Sequence, residues 1–499
     1  VDNDDSQSSQ SRTQQSKTIA MDQFQSFCDQ LNRRQFIKRA SIGLGVAALG
    51  GSMKPLVGSV QPGLHHAAKA KRVIFLFMAG APSQLDLFDY KPDLEKLHGQ
   101  ELPKEISKGQ RVTTMTRGKK QEICASIFKF APQGKSGLMM SELLPHMSKH
   151  ADDICMIKST HTEAINHDPA KTFFCTGSEM PGRASMGSWL SYGLGSLNRD
   201  LPDFVILSSA FWSGKTNVQA LYSRLWGTGF LPGKHQGIAF QSVGDPVLFL
   251  SNPKGVDRKA RNKMLDFVSQ VNAEQKLVTG DPEIQTSIAQ QEMAFRMQTS
   301  VPELTDLSQE SEATLSMYGP EVNQTGSFAR NCLLARRMAE RDVRFVQLFH
   351  RGWDHHRQLP LHMRGQARDI DQPISGLLTD LKQRDLLEDT LVVFAGEFGR
   401  TTYAQNLTPG DRENYGRDHH PSCFTTWMAG GGIKGGISYG ETDDFCYNVA
   451  RDPVHVRDLH ATMFHQMGID HNKLIFPHQG LDQKLTGVEK AYVVKDIIA

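Results

Sequence analysis

Short apolar runs with almost no polar interruption punctuate this chain: Lys71–Ala79 (KRVIFLFMA), Ile154–Lys158 (ICMIK), Leu201–Leu207, Val343–Phe349 (VRFVQLF), Thr390–Ala395 (TLVVFA) and Cys423–Ala429. A run that is apolar at nearly every position reads as a strand buried on both faces, as in the middle of a parallel sheet. Between these runs the period changes to that of helices. Ser141–Ala151, the stretch from about Pro169 to Thr176, Pro181–Ser196, Ala329–Arg341 and Leu361–Arg384 are the clearest. Pro169 directly after Asp168 is a helix start signal. Strands alternating with helices predict an α/β chain. Three stretches interrupt the alternation and read as loop-rich insertions, near residues 91–137, 208–247 and 254–325. The first is polar and Gly/Lys-rich. The second is Gly-rich and studded with Phe211, Trp212, Tyr222, Trp226 and Phe230, and the third begins as two charged helices. The chain has no internal repeat.

The polar residues that matter sit where these runs end. Past Ala395 the character flips to Gly396-Glu397-Phe398-Gly399-Arg400, past Phe349 to Gly352-Trp353-Asp354-His355-His356, and Asp418-His419-His420 precedes Cys423–Ala429. Open α/β sheets keep their ligands at the carboxyl ends of strands. A strand, an Asp-His-His, a crossover helix, a strand and a Glu-x-x-Arg make a βαβ unit with both polar tips on one sheet edge. Adjacent carboxylates and imidazoles form a compact metal-ligand set, and the second Asp-His-His points to convergence of the two clusters. Glu397 and Arg400 either face that site or pair with each other in a turn. Asn166, His167 and Asp168 gather at a helix amino terminus, which can hold an anion. Asp86 and Asp89, past the first strand, either bind metal or cap the next turn, capping being favoured. His455, His460 and His465 are five apart, so they do not stack on one helix face and read as structural.

Composition narrows the class. The 499 residues are 39% hydrophobic and 22% charged, with a formal net charge of +2, which gives no reason to propose nucleic acid or an acidic membrane as partner. The cysteines are scattered without CxxC spacing and do not read as a zinc knuckle. Val1–Gln30 is rich in Ser, Gln and Asp. Arg33-Arg34 then precede a weakly apolar stretch, Ala40–Val60, which Lys54 interrupts, so it does not read as a membrane span. This resembles a twin-arginine export signal. Ala68-Lys69-Ala70 offers a small-x-small cleavage site. The organisation expected is a leader over residues 1–70, then one domain over 71–499 without an integral membrane segment, located in the periplasm or at the cell surface.

LLEDTLVVFAGEFGR, GWDHH, GRDHH followed by WMAGGGIKGG, and APSQLDLFDYKP together resemble the domain of unknown function 1501 family, a sulfatase-like group of the alkaline phosphatase superfamily. The resemblance covers about Lys71 to Asp470. It implies a three-layer α/β/α sandwich and metal-dependent hydrolysis of phosphate or sulfate esters, the substrate being a small-molecule or glycan ester. One or two divalent ions (zinc, calcium or manganese) are expected. Asp354, His356 and His419 would hold one, and Glu397 would hold a second or bridge. Aligned on Pro169 and Thr176-Gly177, His167 falls at the nucleophile position of sulfatases and Lys171 at that of a helper arginine. His167 is expected to ligate the second ion or to act as nucleophile, and Lys171 or Arg400 to contact nonbridging oxygens. The chain departs from the sulfatase pattern in having no Cys or Ser at that nucleophile position and no paired aspartates after Met78-Ala79-Gly80. Those departures favour an alternative: a non-catalytic, metal-containing protein that binds a glycan or a partner on the same fold.

Overall fold

The first strand, β1 (Arg72–Ala79), is buried at every residue and lies at the centre of the sheet. The computed structural model describes residues 63–107, 109–209, 218–241, 246–247, 255–279 and 282–499, all within one compact unit, Val60–Ala499. The leader up to residue 62, with its Arg33-Arg34 pair, and Phe211 and Trp212 lie outside the described residues.

The remaining sheet strands are β2 (Ile154–His161), β3 (Phe204–Ser208), β4 (Ile238–Phe240), β5 (Phe345–Arg351) and β6 (Thr390–Ala395). A separate hairpin, β7 (Gly399–Gln405) with β8 (Gly416–His420), precedes β9 (Phe424–Ala429), β10 (Ile437–Tyr439) and β11 (Val454–His455). The nine-stranded sheet has the order β10-β2-β9-β6-β1-β5-β3-β4, with β11 also paired to β2. β6, β1, β5, β3 and β4 are mutually parallel, with Phe77 opposite both Phe349 and Ala395. β9 is antiparallel to both β6 and β2, so β2 runs with the parallel set. The carboxyl ends of β1, β2, β5 and β6 and the amino end of β9 therefore share one edge.

Alternate residues of β1 feed two apolar layers. Val73, Phe75 and Phe77 pack with Phe174 of α1 (His167–Thr176), Trp189 of α2 (Met186–Leu194) and Met463 of the last helix, Val456–Gln466. Ile74, Leu76 and Met78 pack instead with Leu333 of Phe328–Glu340 and with Ile370 and Leu377 of Leu359–Gln383. Helices thus cover both faces, and the expected three-layer α/β/α arrangement is the one observed. Each large apolar side chain so buried contributes about 1.5–3 kcal/mol, which is why these strands are apolar at every position. The two charged helices of the third insertion are Arg258–Thr279 and Pro282–Thr305. Among the described residues no helix is long and apolar enough to cross a membrane.

Two local expectations fail for identifiable reasons. Ser141–Ala151 is not a helix. Pro145 breaks it, and a short 3₁₀ turn at Met147–His150 begins where Asp371 accepts the backbone N–H groups of His146 and Met147 at 2.9 and 2.7 Å. Asp86 and Asp89 neither cap a helix nor approach the metal-ligand cluster. Asp86 forms a wholly buried ion pair with Arg417 (2.8 Å), and Asp89 faces Lys91 and Lys158 at 3.6 and 3.7 Å.

Candidate metal centre

Four loops and the β7–β8 hairpin meet at the shared sheet edge. β5 runs into Gly352, whose φ of 100° turns the chain so that Asp354 and His356 project back over the edge. β6 ends on Glu397, and β2 leads to His167 in the first turn of α1. In β8, Asp418, His419 and His420 alternate in direction. His419 enters the edge, while His420 turns away and bonds the Tyr447 carbonyl (2.7 Å).

Ligand atoms of His167, Asp354, His356 and His419 all lie within 4.8 Å of one another, a group able to hold a metal ion. Asp354 Oδ1 is the hub: it lies 2.8 Å from His356 Nε2, 3.2 Å from His167 Nε2 and 3.5 Å from His419 Nε2. The outer ring nitrogens are engaged elsewhere. His419 Nδ1 faces the Ile165 carbonyl (2.8 Å), His167 Nδ1 faces Glu397 Oε1 (2.6 Å) and His356 Nδ1 faces Gln405 Oε1 (2.6 Å). These partners accept only, so each Nδ1 carries a proton and donates. In the neutral rings every Nε2 then presents a lone pair to the centre, and those of His356 and His419 stand 3.1 Å apart. Bare lone pairs at that separation repel unless a cation lies between them. Three imidazole nitrogens and one carboxylate oxygen are the donor set of a four-coordinate ion, with the outer nitrogens fixed by second partners.

The electrostatics follow from burial and these contacts. Burial would raise the Asp354 pKa, but Arg400 and the three imidazoles hold it well below the usual carboxylate range. Burial pushes His419 down to about 4, with Arg400 and the neighbouring rings adding to the effect, so its ring is neutral near pH 7. Burial also opposes charge on His167, yet the carboxylates Asp354 and Glu397 outweigh it and raise its pKa. Phe398 closes the floor, its ring 5.0 Å from that of His167 and 4.8 Å from that of His419.

The other expected site residues stand one layer back. Glu397 lies outside the four-residue group. Its carboxylate accepts the Gly80 N–H on both oxygens (3.0 and 3.1 Å) and the His167 Nδ1 proton. It does not pair with Arg400. The Arg400 guanidinium has no exposed surface and donates to Asp354 Oδ1 (2.7 Å), to the carbonyls of Ala81 (2.9 Å) and Arg417 (3.2 Å), and to that of Gly80. With its donors spent inside the protein, it backs the hub carboxylate and is not presented to a substrate. Lys171 is buried, donates to the Ala220 carbonyl (2.6 Å), and burial lowers its pKa against the pull of Glu397 and Asp168. His355 is buried with its ring stacked on His362, and Asp418 binds the hydroxyls of Thr113 and Thr116.

Three contributors carry no sequence signal strong enough to find them. Gln405 and Gln219, which donates to Asp354 Oδ2 at 3.0 Å, are isolated glutamines in unremarkable contexts. Gly80 had a hint in its place at the end of β1. It has φ +116°, and a Cβ there would stand 2.6 Å from the Asp354 nitrogen and 2.7 Å from that of Trp353. Only glycine lets the β1 and β5 ends approach so closely.

The fold and the cluster define an α/β protein whose sheet edge carries a histidine–aspartate centre able to hold a metal ion. The chain belongs to the family described as Protein of unknown function (DUF1501), which it matches over residues 70–498. No curated protein matches it. Among solved structures it is similar to alkaline phosphatase from the Antarctic bacterium TAB5, with 11% identity, 76% of this chain and 96% of that chain covered, and a TM-score of 0.30. It is also similar to the lipoteichoic acid synthase LtaP from Listeria monocytogenes, with 9% identity, coverage of 88% and 78%, and a TM-score of 0.33. A third is a phosphonate monoester hydrolase from Silicibacter pomeroyi, with 11% identity, coverage of 81% and 74%, and a TM-score of 0.30.

Proposed function

We propose that the protein is an exported, metal-dependent hydrolase of phosphate or sulfate esters. The observation that carries the reading is the convergence of three Nε2 lone pairs on one carboxylate oxygen, with every outer ring nitrogen already committed as a donor. His167, Asp354, His356 and His419 hold one ion. Three nitrogens and one oxygen suit zinc better than manganese, which favours oxygen ligands, or calcium, which takes six to eight of them. Such an ion supplies neutralisation for an ester oxyanion and acidity for attacking water.

The protein's own groups set the stage. Glu397 fixes the tautomer of His167, so its Nε2 serves as ligand and not as nucleophile. Arg400 holds Asp354 ionised and immobile. Gln405 and the Ile165 carbonyl orient the other two rings.

Protein purified without added metal is expected to carry one transition-metal ion per chain by elemental analysis and to hydrolyse an aryl phosphate or an aryl sulfate. Loss of that activity on chelation, with recovery on adding zinc or manganese, separates the hydrolase from a non-catalytic glycan- or partner-binding protein. Absence of any bound metal would sink the proposal. Export through the twin-arginine route to the periplasm or cell surface belongs to the same reading, supported by Arg33-Arg34 ahead of the weakly apolar Ala40–Val60. The double substitution Arg33→Lys with Arg34→Lys is expected to retain the protein in the cytoplasm. A fully exported, processed variant would remove that element.

A further inference from the structure

The centre is not equally open on all sides. The His356 side chain is 24% exposed, against 14% for Asp354, 8% for His167 and 7% for His419. His356 is the most exposed of the four. That residue lines a cavity of about 420 Å³ whose other walls include Lys119, Lys120 and Arg357, with Glu122 as the one carboxylate in the lining. Three cations against one carboxylate leave an excess of positive charge beside His356, although the chain as a whole is nearly neutral. A cleft lined by one sign of charge concentrates the opposite sign within it.

The segment that carries the two exposed lysines is anchored on both sides. The lysines follow a turn at residues 114–118, and both Thr113 and Thr116 hydroxyls donate to Asp418 Oδ2, at 2.5 and 2.6 Å. The same carboxylate accepts the backbone N–H of His419 (2.8 Å), so one buried group fixes both the basic segment and a ligand of the centre. Beyond the lysines the chain runs on along β7, where Ala404 N–H donates to the Glu122 carbonyl and Cys124 N–H to that of Thr402, each at 2.9 Å. A solvated lysine pair has no need of such anchoring. The cavity is also much larger than a single oxyanion, within the range of pockets that hold small molecules.

We infer that this basic cavity receives a second anionic group of the substrate, so that the ester acted upon is polyanionic: a compact molecule carrying several sulfate or phosphate groups. The inference rests on the hydrolase reading for what happens at the cluster, but binding in the cavity does not require an ion in the centre.

Calorimetric titration of the full chain with sucrose octasulfate and with inositol hexakisphosphate tests it, in metal-loaded and chelator-treated protein alike. At least one of the two is expected to bind in both states, weakening as salt rises, and which one binds tighter tells sulfate from phosphate. The double variant Lys119→Glu with Lys120→Glu, and separately Arg357→Glu, are exposed substitutions expected to fold. Each is expected to weaken that binding about tenfold or more, or roughly 1.4 kcal/mol, while metal content stays at the wild-type value. Binding of a singly charged probe, glucose 6-sulfate, is expected to change far less. If wild type binds neither polyanion, or both variants bind as tightly as wild type, the inference is overturned. If polyanion binding behaves as expected but no metal is found, the cavity assignment stands and the hydrolase reading falls.

Discussion

Asp354→Asn is expected to leave the protein folded and without its ion. The carboxylate is the hub of the centre: Oδ1 faces three Nε2 atoms and an Arg400 nitrogen, and Oδ2 accepts from Gln219. An amide has the same shape and keeps one acceptor for Arg400, so packing survives. It brings no negative charge, however, and its NH₂ group competes with a cation for the same space. Changes to partners behind a metal ligand already cost about 10–100-fold in affinity, so loss of the only carboxylate among the four ligands is expected to exceed about 100-fold. Metal content after dialysis, together with competition against a chromogenic chelator, reads the effect. Full occupancy in the variant would show that Asp354 is not a ligand. Asp354→Ala is a different experiment. It strands Arg400 with no exposed surface and no carboxylate, and removing one partner of a buried pair costs about 3–5 kcal/mol.

The largest loss of stability is expected at Arg417. Its guanidinium reaches Asp86 at 2.8 Å and donates to the carbonyls of Thr401 (3.2 Å), Thr402 (3.1 Å) and Cys124 (2.9 Å), with neither side chain of the pair exposed. These bonds tie β8 to β7, to the turn after β1 and to the first insertion. Arg417→Ala leaves the Asp86 charge buried with the Ser83 hydroxyl (2.6 Å) as its remaining side-chain partner and takes a donor from three carbonyls, of which only that of Thr402 keeps another, the Cys124 N–H. A cost of about 3–5 kcal/mol is expected, measured from the midpoint and slope of urea unfolding. Asp86→Leu with Arg417→Met removes the stranded charge but not the orphaned carbonyls, so it is expected to recover only part of the loss. A single variant within about 0.5 kcal/mol of wild type, the range of an ordinary surface change, would mean that water or another cation takes over at Asp86.

The contrast between β6 and β7 explains how much of this was legible in the sequence. TLVVFA announces itself because a strand sandwiched between two helical layers must be apolar at every position. GRTTYAQ is equally buried, yet its sequence reads as a turn. Its burial is bought by polar pairing, with Arg417, Asp418 and Gln84 taking up its groups, and such partners lie far away in sequence. The same limit applies at the centre. Asp354, His356 and His419 stand out as clustered ligand types at strand ends, and the antiparallel β9 places β8 at the edge where β5 finishes. His355, His420 and Asp418 belong to the same two triplets and point elsewhere. Which members of a triplet face the edge is decided by the Gly352 turn and the pleat of β8, and residue type says nothing about either. Glu397 and Arg400 were visible as a pair of charges. Their division of labour, one behind His167 and the other behind Asp354, depends on the close approach at Gly80.

That division has a consequence for how the site would release what it makes. Arg400 sets a fixed positive charge against Asp354, and Lys171 sets another against Glu397. The protein's charges at the centre therefore cancel, and an ion bound there keeps almost all of its own. An inorganic phosphate or sulfate leaving the site would depart from an uncompensated dication in a partly closed cleft. Oxyanion and metal should then bind with mutual reinforcement, each tightening the other by the same factor. If the centre hydrolyses an ester as proposed, the free oxyanion is expected to inhibit it with a grip that depends on the metal.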